Sequence, residues 1–116
     1  MKVSSDPRHL KRIKLFRKLF TASFIGNETQ PSSIKDIADN LKEIDGLITK
    51  LAPEWPVDKL NKVDLAILRL AIHELRFKKE IPEKVVIDEA VELSKRFGTE
   101  KTPKFVNGVL GSLVKK

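Results

Sequence analysis

Two histidines, no cysteine and a scatter of carboxylates are all that this 116-residue chain offers to catalysis or metal binding. His9 and His73 stand far apart, and neither has a second histidine at helical spacing, the arrangement that aims two imidazoles at one metal. His73 and Glu74 do not open a zinc-protease motif, because no histidine follows at the required place. His73 is expected instead on a partly exposed polar face of its helix. Without cysteine there is no disulfide, thiolate zinc site or cysteine nucleophile. Asp88, Glu89 and Glu92 could do acid–base work if they converged in a cleft. On an amphipathic helix they read as a solvated face, with Glu92 pairing Lys95 or Arg96. No glycine-rich phosphate loop or serine elbow is present. The sequence holds no catalytic constellation, no metal site and no cofactor motif.

The chemistry it does hold is cationic. The net charge is +7, made of +6 over residues 1–18, −4 over 19–94 and +5 over 95–116. If the fold joins the two ends, they form one basic surface, which would attract polyanions by releasing their counterions. Lys101 and Lys104 flank a helix start at Thr102 and Pro103, where free N–H groups and partial positive charge favour a phosphate. Phe105 follows Lys104. An exposed phenylalanine there could stack a base, and the alternative is a core phenylalanine beside a surface lysine.

The elements that must position these groups are helical throughout. Asp6 and Pro7 supply an N-cap and a first helical residue. Leu10, Ile13, Phe16, Phe20 and Phe24 then form one apolar face, and Gly26 and Asn27 mark the stop. Ser33 is placed to cap a second helix carrying Ile34, Ile37, Leu41, Ile44, Ile48 and Leu51. Pro53 and Pro56 break the chain around Trp55, which is expected to plug the edge of the core. Asp58 is placed to cap a short turn over Lys59–Asn61. Lys62–Phe77 is apolar over most of its circumference, so it belongs at the centre of the domain. Pro82 opens a helix whose buried side is Val85, Val86, Ala90, Leu93 and Phe97, with Gly98 as the C′ residue. Thr102 is placed to cap the last helix, with Phe105, Val106, Val109, Leu110 and Leu113 facing inward and Gly108 and Gly111 open to close approach of a neighbour. No period-two segment suggests a strand and no repeat is present. One all-α domain follows, a bundle of about five to six helices. The apolar stretch Leu19–Gly26 is too short to span a membrane.

Two segments resemble a known family. Leu60–Leu75, with Asp64, Arg69, His73 and Glu74, resembles the central helix of the NusB transcription antitermination family. Ile81–Leu93 and Lys104–Leu110, the latter reading Lys, Phe, Val, Asn, Gly, Val, Leu, look like its last two helices. The resemblance implies an all-α fold of two helical subdomains. Here the N-terminal one, residues 1–52, is abbreviated, and residues 53–116 form the C-terminal one. It implies a non-enzymatic cytoplasmic protein that binds the boxA element of ribosomal RNA leader transcripts. Binding would occur together with NusE, a small-subunit ribosomal protein, within the transcription elongation complex.

Carried over by position, the resemblance points to Arg8, Lys11, Arg12, Arg69, Lys101, Lys104 and Phe105 as RNA contacts. It points to Phe20 and Glu74 as contacts with the protein partner. A protein-interaction module without specific RNA binding, an RNA-binding protein of ribosome biogenesis, and a homodimer stay open as alternatives.

Overall fold

The computed structural model describes residues 6–25 and 31–115, so the expected stop at Gly26 and Asn27 lies outside the described residues. Six α-helices follow in order: α1 (Pro7–Ile25), α2 (Lys35–Asp39), α3 (Leu41–Leu51), α4 (Lys62–Phe77), α5 (Glu83–Phe97) and α6 (Thr102–Val114). Short 3-10 turns at Ser32–Ile34 and Val57–Lys59 lead into α2 and toward α4. There is no strand among the described residues.

Helix α4 packs against every other α-helix, as its nearly continuous apolar circumference requires. Ile67, Leu68 and Ile72 have no exposed surface, and burying each such side chain stabilises the fold by about 1.5–3 kcal/mol. His9 meets Glu89 and Phe16 meets Phe97, so α1 runs in the same direction as α5. Helices α5 and α6 form the most extensive helix pair. Residues from all six helices join one continuous hydrophobic core.

Several local readings are corrected. The helix expected from Ser33 to Leu51 is broken at Asn40, which sits at φ −109° and ψ 14°. Its side-chain amide donates to the Asp36 carbonyl at 2.8 Å, a local bond that competes with the helix ladder. Ser33 caps nothing; its hydroxyl accepts from Lys18 Nζ at 2.8 Å. Asp58 lies inside the 3-10 turn, and Asn61 caps α4 by accepting the Val63 amide at 2.7 Å. Trp55 is 53% exposed and does not plug the core. Leu10, Phe24 and Val85 are exposed as well, the first two toward the ends of α1 and the third in the first turn of α5 beside buried Val86. His73 is buried rather than on a polar face. A Cβ on Gly108 or Gly111 would meet nothing within 4 Å, so neither serves close approach.

Candidate nucleic-acid interface

Asp6 starts α1 as its type and position suggest: its Oδ1 accepts the Arg8 amide at 2.8 Å. That bond, with help from the Arg8 guanidinium, holds the Asp6 carboxyl below its ordinary range. Along α1, His9, Arg12, Ile13, Phe16 and Leu19 are buried. Lys11, Lys14 and Lys18 fall on the opposite, exposed side, three and seven residues apart as one helix stripe demands. Arg8 is exposed too and pairs with Asp6 at 3.5 Å.

Arg12 is withdrawn from this surface. Its Nε donates to Glu74 Oε1 and Oε2 at 3.1 and 3.0 Å, and its Nη2 donates to Oε1 at 2.8 Å. Its Nη1 lies 3.6 Å from Glu89, whose Oε1 is 2.9 Å from His9 Nδ1. All four side chains are about nine-tenths buried. Glu89 is thus an interior group, not part of a solvated acidic face. The cluster ties α1 to α4 and α5. Glu74, expected to face a protein partner, faces Arg12. Phe20 is half-buried on the flank of the core, with its ring edge-on to Phe24 at 5.1 Å. Arg69 is likewise engaged: it clasps Asp45 with bonds of 3.0 and 2.8 Å, joining α4 to α3.

The turn between α5 and α6 is built around Thr102, which is 1% exposed. Its hydroxyl donates to Asp64 Oδ1 at 2.8 Å and accepts the Thr99 amide at 3.0 Å. Thr102 therefore lies inside α6 and does not cap it. Thr99 Oγ1 accepts the Lys101 amide at 3.2 Å. Burial raises the Asp64 pKa, and the Thr102 hydrogen bond opposes that shift. Gly98 is extended, at φ −92° and ψ −171°, so it is not the left-handed C′ residue the sequence suggests. Glycine is required there for room: an added Cβ would lie 2.5 Å from Thr102 Cβ. This knot presents Lys101 and Lys104 to solvent. Phe105 is half-buried and packs on the core.

The two basic ends meet at Phe97. Its ring stacks on buried Phe16 with centroids 4.9 Å apart. Arg17 from α1 and Arg96 from α5 lie over the same ring, at 5.5 and 5.1 Å from its centroid. Phe97 immediately precedes the Gly98 turn, so Arg17 of α1 lies against the residue from which that turn leaves α5. The sequence shows Arg17 only as a charge, Arg96 as a possible partner of Glu92 and Phe97 only as core; in the structure Glu92 pairs with Lys95 instead. A Phe16–Phe97 contact joining two helices far apart in sequence leaves no local signal. The groove between α5 and α6 is mixed in sign, lined by Asp88, Glu92, Lys95 and Lys104, and offers no anion site. Among the described residues no group of three or more His, Asp or Glu is placed to hold a metal ion, and no helix is long and apolar enough to cross a membrane.

The sequence model of the NusB family matches residues 30–115. The chain belongs to the NusB family. It is 37% identical over 130 aligned positions to the transcription antitermination protein NusB of Thermotoga maritima, an alignment that covers 95% of this chain and 92% of that protein. The NusB of Caldicellulosiruptor saccharolyticus is 46% identical over 89 positions, covering 77% of this chain and 68% of that protein. A solved structure of T. maritima NusB superposes with a TM-score of 0.83 at 38% identity, covering all of this chain and 94% of that one. The NusB fold therefore takes in the described helices before Leu60 as well, a region from which the sequence resemblance drew no motif. The relatives' name describes transcription antitermination and no enzymatic reaction.

Proposed function

We propose that this NusB-family chain is a non-enzymatic, cytoplasmic transcription antitermination factor. It acts as one domain, binds boxA-like single-stranded RNA of ribosomal RNA transcripts, and does so with NusE as protein partner. The observation that supports this most is the meeting of exposed Arg17 of α1 with Arg96 of α5 at Phe97, next to the α5–α6 turn, on a fold shared with proteins named for antitermination. Lys11, Lys101 and Lys104, exposed and without a carboxylate partner among the described residues, take the backbone phosphates, joined by Arg8. Phosphate contacts of this kind position an RNA strand, and base contacts then specify it. Half-buried Phe105 is the candidate for a base contact.

Arg12, Arg69 and Glu74 serve the same function from within. Arg12 and Glu74 fix the pose of α1, and Arg69 fixes α3 against α4. Phe20, beside exposed Phe24 and Ile25, supplies apolar surface for the protein partner.

The test is fluorescence anisotropy with a boxA-like RNA and a scrambled RNA of equal length, each with and without NusE. Preference for the boxA-like RNA, increased by NusE, is expected. Equal binding of both RNAs under both conditions would leave a protein-interaction module as the better reading.

A further inference from the structure

The chain has six arginines. Four hold carboxylates: Arg8 with Asp6, Arg12 with Glu74, Arg69 with Asp45 and Arg76 with Glu43. The other two, Arg17 and Arg96, have no carboxylate partner among the described residues, and both lie over the ring of Phe97. The juxtaposition is tertiary, since one comes from α1 and the other from α5. Both are exposed. The ring beneath them is fixed by its stack on Phe16, which is 3% exposed.

A guanidinium over an aromatic face keeps its N–H edge for other partners. Two guanidinium groups held at one ring concentrate positive potential there, which favours an anion beside them. The planar fork of each matches two oxygens of a phosphate group. We propose that Arg17 and Arg96, seated on Phe97, clamp one backbone phosphodiester of single-stranded RNA. The clamp carries the strand from the lysine stripe of α1 to Lys101 and Lys104. It rests on the RNA-binding reading above and adds to it a site at three residues that the family resemblance did not point to.

The test uses the full chain, a labelled boxA-like single-stranded RNA and a series of salt concentrations. Arg17→Gln/Arg96→Gln is compared with wild type and with Lys50→Gln/Lys59→Gln. The latter pair removes the same charge from exposed positions on α3 and the 3-10 turn after it. Helicity by circular dichroism confirms that each variant is folded. The clamp variant is expected to bind about tenfold more weakly, the loss of one charge-assisted contact. Its plot of log affinity against log salt should be shallower by about 0.7, the increment for one phosphate on a single strand. The control pair should keep the wild-type slope. If wild type binds and the clamp variant matches the control in affinity and slope, the clamp is wrong while the RNA-binding reading stands. If wild type binds no RNA, both fall.

Discussion

Replacing Arg12 by Met should destabilise the protein severely, and Glu74 should account for most of the effect. The Arg12 guanidinium donates three hydrogen bonds to the Glu74 carboxylate, at 2.8–3.1 Å, and its side chain is 11% exposed against 9% for Glu74. Solvent cannot take over the carboxylate when the arginine is removed, and Glu89 stands 3.6 Å from the same guanidinium. Breaking one side of a buried pair typically costs about 3–5 kcal/mol. A 116-residue chain has a total stability of roughly 6–17 kcal/mol, so the variant should still fold with its Tm lowered by roughly 10–25 °C. The double variant Arg12→Met/Glu74→Met removes both charges and should cost less than the two single losses added, with a coupling of about 2–3 kcal/mol. Urea unfolding followed by circular dichroism gives all three values. Additivity within about 0.5 kcal/mol would show that the two side chains do not hold each other, and the account of α1 positioning would be wrong. A second readout separates positioning from contact. Folded Arg12→Met should keep the wild-type salt slope for RNA, because a buried guanidinium neutralises no phosphate.

The remaining predictions concern backbone and pH. Gly46→Ala, in an exposed helical position where an added Cβ meets nothing within 4 Å, should stabilise the protein by about 0.5–1 kcal/mol in the same urea assay. Gly98→Ala should destabilise by about 1–3 kcal/mol, because the new methyl collides with Thr102; it should also weaken RNA binding by displacing Lys101. His73 has its pKa lowered, chiefly by burial and then by Lys78, so the fold disfavours the imidazolium that the unfolded chain accepts below its ordinary value of 6.5. Its contribution to stability is present above that value and is lost as pH falls through the lowered folded pKa. His73→Phe should therefore flatten the decline of unfolding free energy between neutral and mildly acidic pH, whatever it does to the absolute value.

Much of the fold is written in the spacing of apolar residues. The faces of α4, α5 and α6 could be read because Leu65, Leu68 and Ile72, Val86, Ala90 and Leu93, and Val106, Val109 and Leu110 recur at three and four, and all are buried. Spacing misleads where two β-branched residues adjoin. Val85 and Val86 both look apolar, and the turn of the helix buries only the second. It also misses Asn40, because the isoleucines on either side keep helical spacing through the break. The site was legible as charge but not as geometry. The resemblance marked Arg12 and Glu74 for different ligands, and the structure pairs them across 62 residues. A helical wheel carries a hint, since Arg12 lies on the face of His9 and Phe16, but its partner is set by how α1 docks. Thr102 looked like a cap because its type and the following proline fit that role. Asp64, on another helix, redirects its hydroxyl.

The claim that RNA lies across α1 and the α5–α6 turn is tested most directly by mapping backbone amide shifts of the full chain during titration with a boxA-like RNA. The account predicts changes concentrated at the exposed positions of α1 and at residues 96–105, with Trp55 and the exposed side of α3 unmoved. Changes centred on α3 and Trp55, or none at saturating RNA, would contradict it.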